Sequence, residues 1–229
     1  MSIEVKIMGR IRKLLEGLDA ESDGDEEKNI ALTPQLEQLM APGAAPYREI
    51  VRMGRAFYTG TTTAVAAVVA IPTTAVLMAL FNNDVDGGRS FVIDWIAASG
   101  VAKTAAAGQA QLLVNLGQVR EAAPSDSGLI IKKANGMGAG AGLDTKARTI
   151  IGGTALPGTT GVAGQWIPVC PAVGFPGAAA TPGHGLWTAA DGRWIVPPGR
   201  YFAMHVLADV VGSTFQGFIG WHELTTKLG

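Results

Sequence analysis

Charge is scarce in this sequence. Charged residues make up 16% of its 229 residues, against about a quarter in typical soluble domains. The formal net charge is −1, so no overall field draws in a polyanion or an anionic membrane, and no specific nucleic-acid recognition is expected. Cysteine is nearly absent: Cys170 stands alone. That excludes an intramolecular disulfide, argues against a small disulfide-stapled secreted module, and fits folding in a reducing cytosol. Residues 2–18 carry charges throughout and hold no uninterrupted apolar core, so a secretory signal is not expected. No repeat of fixed period, no GxxxxGK[ST] and no GxSxG occurs in the chain.

What the sequence does have is turn formers and small apolar residues. It contains 31 Gly and 12 Pro, and its hydrophobic share of 48% leans on Ala and Val. Low charge with many turns suits a protein whose surface is covered by copies of itself. The long uncharged stretch 61–81 could cross a bilayer by length. Pro72-Thr73-Thr74 divides it, however, into 63–71 and 75–81, each β-branched or apolar. Two buried strands are therefore expected, and no membrane span.

The clearest local pattern lies near the C-terminus. Residues 200–208 open after the rigid turn Val196-Pro197-Pro198-Gly199, and 213–224 follow the break Val211-Gly212. In the second run Phe215, Ile219 and Trp221 fall on one face and Gln216, Gly220 and His222 on the other, which is the period of a half-buried strand. Strands are expected at 63–71, 75–81, 90–98, 109–116, 128–133, 148–151, 165–169, 186–188, 193–196, 201–208 and 214–224. Asp191-Gly192 between the eighth and ninth predicts a hairpin. Short strands at this spacing with no central helix predict an all-β fold, a β-sandwich. The long Gly/Pro-rich connections after Asn135 suit a jelly roll.

The first 55 residues read differently. Residues 2–18 read as an amphipathic helix with Ile3, Ile7, Ile11, Leu14 and Leu18 on one face and Lys6, Arg10, Arg12 and Lys13 opposite. An acidic linker follows at 19–28, then a short helix capped by Thr33 with Pro34 at its first position. Residues 47–54 read as a helical turn or an extended segment. The expected organisation is a helical or extended arm, 1–55, and a jelly-roll-like β-sandwich, 56–229. The apolar stripe of the first helix, Ile7, Ile11, Leu14 and Leu18, is read as docking on its own domain or on a neighbouring copy.

No constellation argues for catalysis, so the chain is not read as an enzyme and no cofactor is expected. Gly136-Met137-Gly138-Ala139-Gly140-Ala141-Gly142 lacks the helix that a phosphate-binding turn must open. Asn82-x-Asp84-x-Asp86-Gly87 matches half of a calcium loop, but position twelve is Ile93 rather than a bidentate Glu, and a turn explains the residues. His205 and His222 could approach each other if the last two strands pair, yet alternation puts Glu223 on the face opposite His222, so no zinc set converges. Ser125, Ser127 and Cys170 have no base assigned by any motif. Trp95, Trp166, Trp187, Trp194 and Trp221 all fall in expected strands. Core or subunit-interface packing is the reading for them, with a stacking platform for sugars or bases as the alternative. Trp187, Trp194 and Trp221 are the candidate interaction residues of the body.

The run from Ile71-Pro72-Thr73-Thr74 through Phe81-Asn82-Asn83 resembles virion structural proteins of tailed and environmental bacteriophages. So do Gly87-Gly88-Arg89-Ser90-Phe91-Val92-Ile93-Asp94-Trp95-Ile96 and the ending Val196-Pro197-Pro198-Gly199-Arg200 with Gly220-Trp221-His222-Glu223. The resemblance covers most of 57–224 and leaves the arm aside. It implies a jelly-roll β-sandwich assembling into symmetric oligomers in a virion, built in the host cytoplasm, with copies of itself and other virion proteins as partners. The competing expectation is a carbohydrate- or receptor-binding jelly-roll module using exposed Trp and the 171–185 loop. A cupin-type metalloenzyme lacks its His-x-His cluster here.

Overall fold

Strands form where β-branched and aromatic residues run between turn formers. The computed structural model describes residues 48–73, 75–86, 88–102, 107–136, 145–152, 156, 165–175 and 185–224. A short helix, α1 (Arg48–Arg52), leads into β1 (Ala56–Gly60), β2 (Val65–Ala66), β3 (Met78–Asn82), β4 (Ser90–Ala102) and β5 (Gly108–Leu116). Then come β6 (Lys132–Lys133), β7 (Ala147–Ile151), β8 (Ile167–Pro168), β9 (Val173–Phe175), β10 (Gly185–Val196), β11 (Tyr201–Ala208) and β12 (Thr214–Leu224). The expected helix at 2–18, the acidic linker and the helix after Thr33 lie outside the described residues.

The strands form two antiparallel sheets packed face to face. Sheet one has the order β10-β4-β12-β1-β6, with β2 also on β12; sheet two has the order β7-β3-β11-β5-β8, with β9 also on β5. The pairing is nested along the chain. β1 pairs with β12, β3 with β11, β4 with β10, and β5 with β8 and β9. β4 and β5 then close on β12 and β11 respectively. β6 and β7 fall outside this nest and pair with β1 and β3.

Between the layers lies the main core. Phe57, Phe91, Ile93, Ile96, Ile219 and Trp221 come from sheet one and meet Leu80, Leu112, Val114, Phe202 and Met204 from sheet two. Trp221 stacks on Phe57 at 5.8 Å and lies 6.1 Å from Phe91. Trp194 crosses to Phe202 at 5.4 Å. Sheet two is covered on its outer face as well: Tyr201, Ala203, Leu113 and Phe81 pack there against Leu156 and Trp166. That second covering explains why β11 is buried almost end to end, as continuous apolar strands are when both faces are packed.

Several sequence expectations change here. Asp191-Gly192 makes no hairpin. Asp191 (φ 47°) and Gly192 (φ 74°) do adopt the left-handed geometry that hairpin turns use. Yet Ala189 pairs with Trp95 and Trp194 with Ile93, so both flanking runs lie on β4 in one direction and 190–193 bulge out between them. The runs 63–71, 128–133 and 165–169 shrink to two-residue strands, because pairing partners are available only at β2, β6 and β8. β11 and β12 do not pair with each other; they lie in different sheets, which separates His205 from His222.

Candidate interaction surface

The outward face of sheet one is built around an irregularity at Asp94. Along β4, Trp95 faces Gly220 and Ile93 faces Trp221, so Asp94 has no partner on β12. The excursion of β10 falls at the same point. A bulge of this kind puts two consecutive residues on one side of a strand, and Asp94 and Trp95 both emerge outward while Ile93 and Ile96 point into the core. Asp94 Oδ1 accepts a hydrogen bond from His222 Nδ1 at 2.7 Å, with the two side chains 13% and 7% exposed.

Cross-strand register extends this face across the sheet. One row runs Trp187, Ala97, Phe218, Gly60; the next runs Ala189, Trp95, Gly220, Tyr58; a third runs Ile195, Val92, His222, Ala56. The Trp95 indole lies where a Cβ on Gly220 would have to be, and the Phe218 ring does the same over Gly60. These two glycines let large rings lie flat against the sheet. Tyr58 is 40% and Trp187 62% exposed. The result is a broad, low-charge aromatic face ending at Trp187 on the outermost strand.

The other sequence candidates settle differently. Trp221 is enclosed in the main core and offers no surface. Trp194 points inward and packs against Phe202. Ile7, Ile11, Leu14 and Leu18 lie outside the described residues, as does His184. His205 sits on the outer side of sheet two, edge-on to Trp166 at 6.3 Å. Burial drives its pKa down to about 4, and the Val206 N–H donates to its Nδ1 at 2.8 Å. Glu223 lies opposite His222 in facing, as alternation requires. Burial pushes its carboxyl above the usual range, against the opposing pull of Thr145 and Arg89, whose Nη1 is 3.2 Å away.

The calcium-like loop is a hydrogen-bonded turn. Asp84 accepts the N–H groups of Val85 (2.8 Å) and Arg89 (2.9 Å), Asn82 Oδ1 accepts that of Asp84 (3.1 Å), and Asp86 pairs with Arg120. Ser127 Oγ accepts the Ile151 N–H, and Cys170 Sγ that of Leu112, so both side chains serve the backbone around them. Among the described residues, no three His, Cys, Asp or Glu side chains come together as a metal site. A surface depression of about 210 Å³ is lined by Val69, Gln109, Gln111, Leu207 and Asp209, below the roughly 300–1,000 Å³ of usual ligand pockets.

Sequence reasoning missed Asp94, Trp95, Phe218 and Tyr58 as one surface. The available signal was a glycine inside each neighbouring strand, Gly60 and Gly220, a mark of close approach. The bulge that turns Asp94 outward left no trace in the pattern of residues. Compared with family models, curated proteins and solved structures, the chain matches none.

Proposed function

We propose that this chain is a self-assembling structural subunit of a virion, a jelly-roll capsid, decoration or tail-associated protein whose main partners are copies of itself. The observation that carries this reading is the nested pairing β1·β12, β3·β11, β4·β10 and β5·β8/β9 around a solid core. A hairpin rolled into two packed layers is the jelly-roll plan, which serves viral capsids, lectins and cupins. Cupins use the interior for a metal and substrate; here Trp221, Phe57, Phe91 and Phe202 fill that space. A jelly roll packed this way acts through its outside.

The outside supports assembly over a single ligand site. Val85, Ile130, Ile167, Trp187 and Val211 are all more than 60% exposed and come from separate strands and loops. Dispersed apolar contacts with few charges suit a subunit touching several neighbours. The test is particle mass by light scattering and electron microscopy of one purified sample. Rings, shells or tubes are expected; a monodisperse monomer at all concentrations overturns the reading. One observation favours the alternative of a carbohydrate-binding module: Trp187, Trp95 and Tyr58 share one flat face, as sugar-stacking rings do. In that case saturable glycan binding is lost in Trp187→Ala and no large assembly forms.

A further inference from the structure

A β-sheet ends in a row of unpaired backbone N–H and C=O groups, and proteins that stay apart close such edges. Among the described residues, the outermost strands β7, β6 and β8 are each closed or very short. On β7, the segment before β6 takes up the free side: Ser127 N–H donates to Thr149 O (2.7 Å), Thr149 N–H to Asp126 Oδ1 (3.0 Å) and Ile151 N–H to Ser127 Oγ (3.1 Å). β6 is two residues long and both are lysine, the charge commonly used to repel a further strand. β8 is also two residues, one of them Pro168, which has no N–H to offer, and β9 beside it has three.

The remaining outermost strand, β10, is the longest at 12 residues, and it is closed over only part of its length. Its C-terminal part is tied in by Asn82 Nδ2, which donates to Val196 O at 2.9 Å. Its middle is thrown out of line by the bulge at Asp191-Gly192. The run Gly185-Leu186-Trp187-Thr188-Ala189 is regular, uncharged and free of proline. Among the described residues no other strand lies on its outer side. Within it Ala189 O receives a long bond, 3.3 Å, from the adjacent Thr188 hydroxyl. Leu186 is buried and Trp187 stands out into solvent.

We propose that this run is a self-association edge, adding antiparallel to the same run of a second copy with Trp187 opposite Trp187. The inference rests on the self-assembly reading and names its contact. Antiparallel pairing about Trp187 is its own two-fold complement, so one segment supplies both sides of the interface. It sets Gly185 opposite Ala189 and Leu186 opposite Thr188, which keeps inward and outward residues in step across the join. The two indoles meet as a cross-strand aromatic pair on the outward face, and sheet one runs on unbroken through both copies. A net charge of −1 leaves little repulsion between them. The bulge after Ala189 ends the pairing and keeps the edge from templating a longer stack.

Two variants test this beside wild type. Gly185→Cys/Ala189→Cys in a Cys170→Ala background keeps Trp187 and places thiols from two copies opposite each other. Mild oxidation is expected to give a covalent dimer; Gly185 has open space for a Cβ, and opposed antiparallel residues lie about 4.5–5.5 Å apart, within disulfide reach. Thiols four residues apart in one strand are about 13 Å apart, so the link forms only between copies. Trp187→Lys is expected to raise the concentration needed for association at least tenfold while the melting temperature of the dissociated chain is unchanged. If wild type assembles but no covalent dimer forms, or Trp187→Lys assembles as wild type does, the β10 contact is wrong and the self-assembly reading stands. If wild type stays monomeric at all concentrations, both fall.

Discussion

His205 makes the protein's stability depend on mild acid. Its imidazole is 2% exposed, wedged on the outer side of sheet two against Trp166, with a folded pKa of about 4 against an ordinary value of 6.5. The folded state therefore holds this ring neutral while the unfolded chain takes up a proton from pH 6.5 downward. Stability is fully present above pH 6.5 and lost progressively as pH falls toward 4. The gap of about 2.5 units corresponds to about 3 kcal/mol in all, of which about 2 kcal/mol is lost between pH 7 and pH 5. Asp126 and Glu223 also titrate differently in the two states, in opposite senses. Thr149, Gly128 and Arg148 outweigh burial and hold the Asp126 carboxyl below its usual range, whereas Glu223 is raised by burial. Their contributions cancel when wild type is compared with His205→Gln, which keeps a polar side chain without the titration. Urea unfolding at pH 7 and pH 5, at fixed chain concentration, should show wild type losing about 2 kcal/mol more than the variant over that interval. Equal losses refute the argument that burial keeps His205 neutral.

Three further outcomes follow from packing and edge protection. Trp221→Ala empties the centre of the main core and should cost about 3–5 kcal/mol; a melting temperature within a degree or two of wild type refutes its placement between Phe57 and Phe91. Gly220→Ala drives a methyl into the Trp95 indole and should cost about 1–3 kcal/mol. In a Trp95→Ala background the same change should cost little, so a double-mutant cycle reads the contact directly. Asp126→Ala removes the acceptor for the Thr149 N–H and hydroxyl and the Gly128 N–H, and should cost about 1–2 kcal/mol at neutral pH. Because the folded pKa of Asp126 is depressed, that cost should shrink as pH falls below the ordinary carboxylate range. A cost unchanged at pH 2.5 refutes the capping role.

How far the sequence carries the fold depends on the range of the interactions concerned. Period-2 alternation in 214–224 correctly separated Phe215, Ile219 and Trp221 from Gln216, Gly220 and His222, because side-chain direction along a strand is a local property. The sandwich class was legible for the same reason, since turn formers at short intervals leave room for little but strands. The Asp191-Gly192 hairpin was not, because the same left-handed dihedrals serve a tight turn or a bulge; β4, running past both flanks, decides between them. β1 and β9 are not among the expected strands; they are set by their pairing with β12 and β5, which lie far along the chain.

The candidate surface divides in the same way. Composition alone determined a chain with almost no net charge and one thiol. Trp187, Trp194 and Trp221 look alike in sequence, each an aromatic in a strand. Only the tertiary pairing places Trp221 in the centre, Trp194 at the inner margin and Trp187 exposed on the strand that ends sheet one among the described residues, because burial depends on which strands lie alongside and above. Which strands end a sheet among the described residues is likewise invisible in the chain. Asp126 and Ser127 cap β7 from about twenty residues upstream in sequence, and β10 ends its sheet because, among the described residues, β4 alone pairs with it.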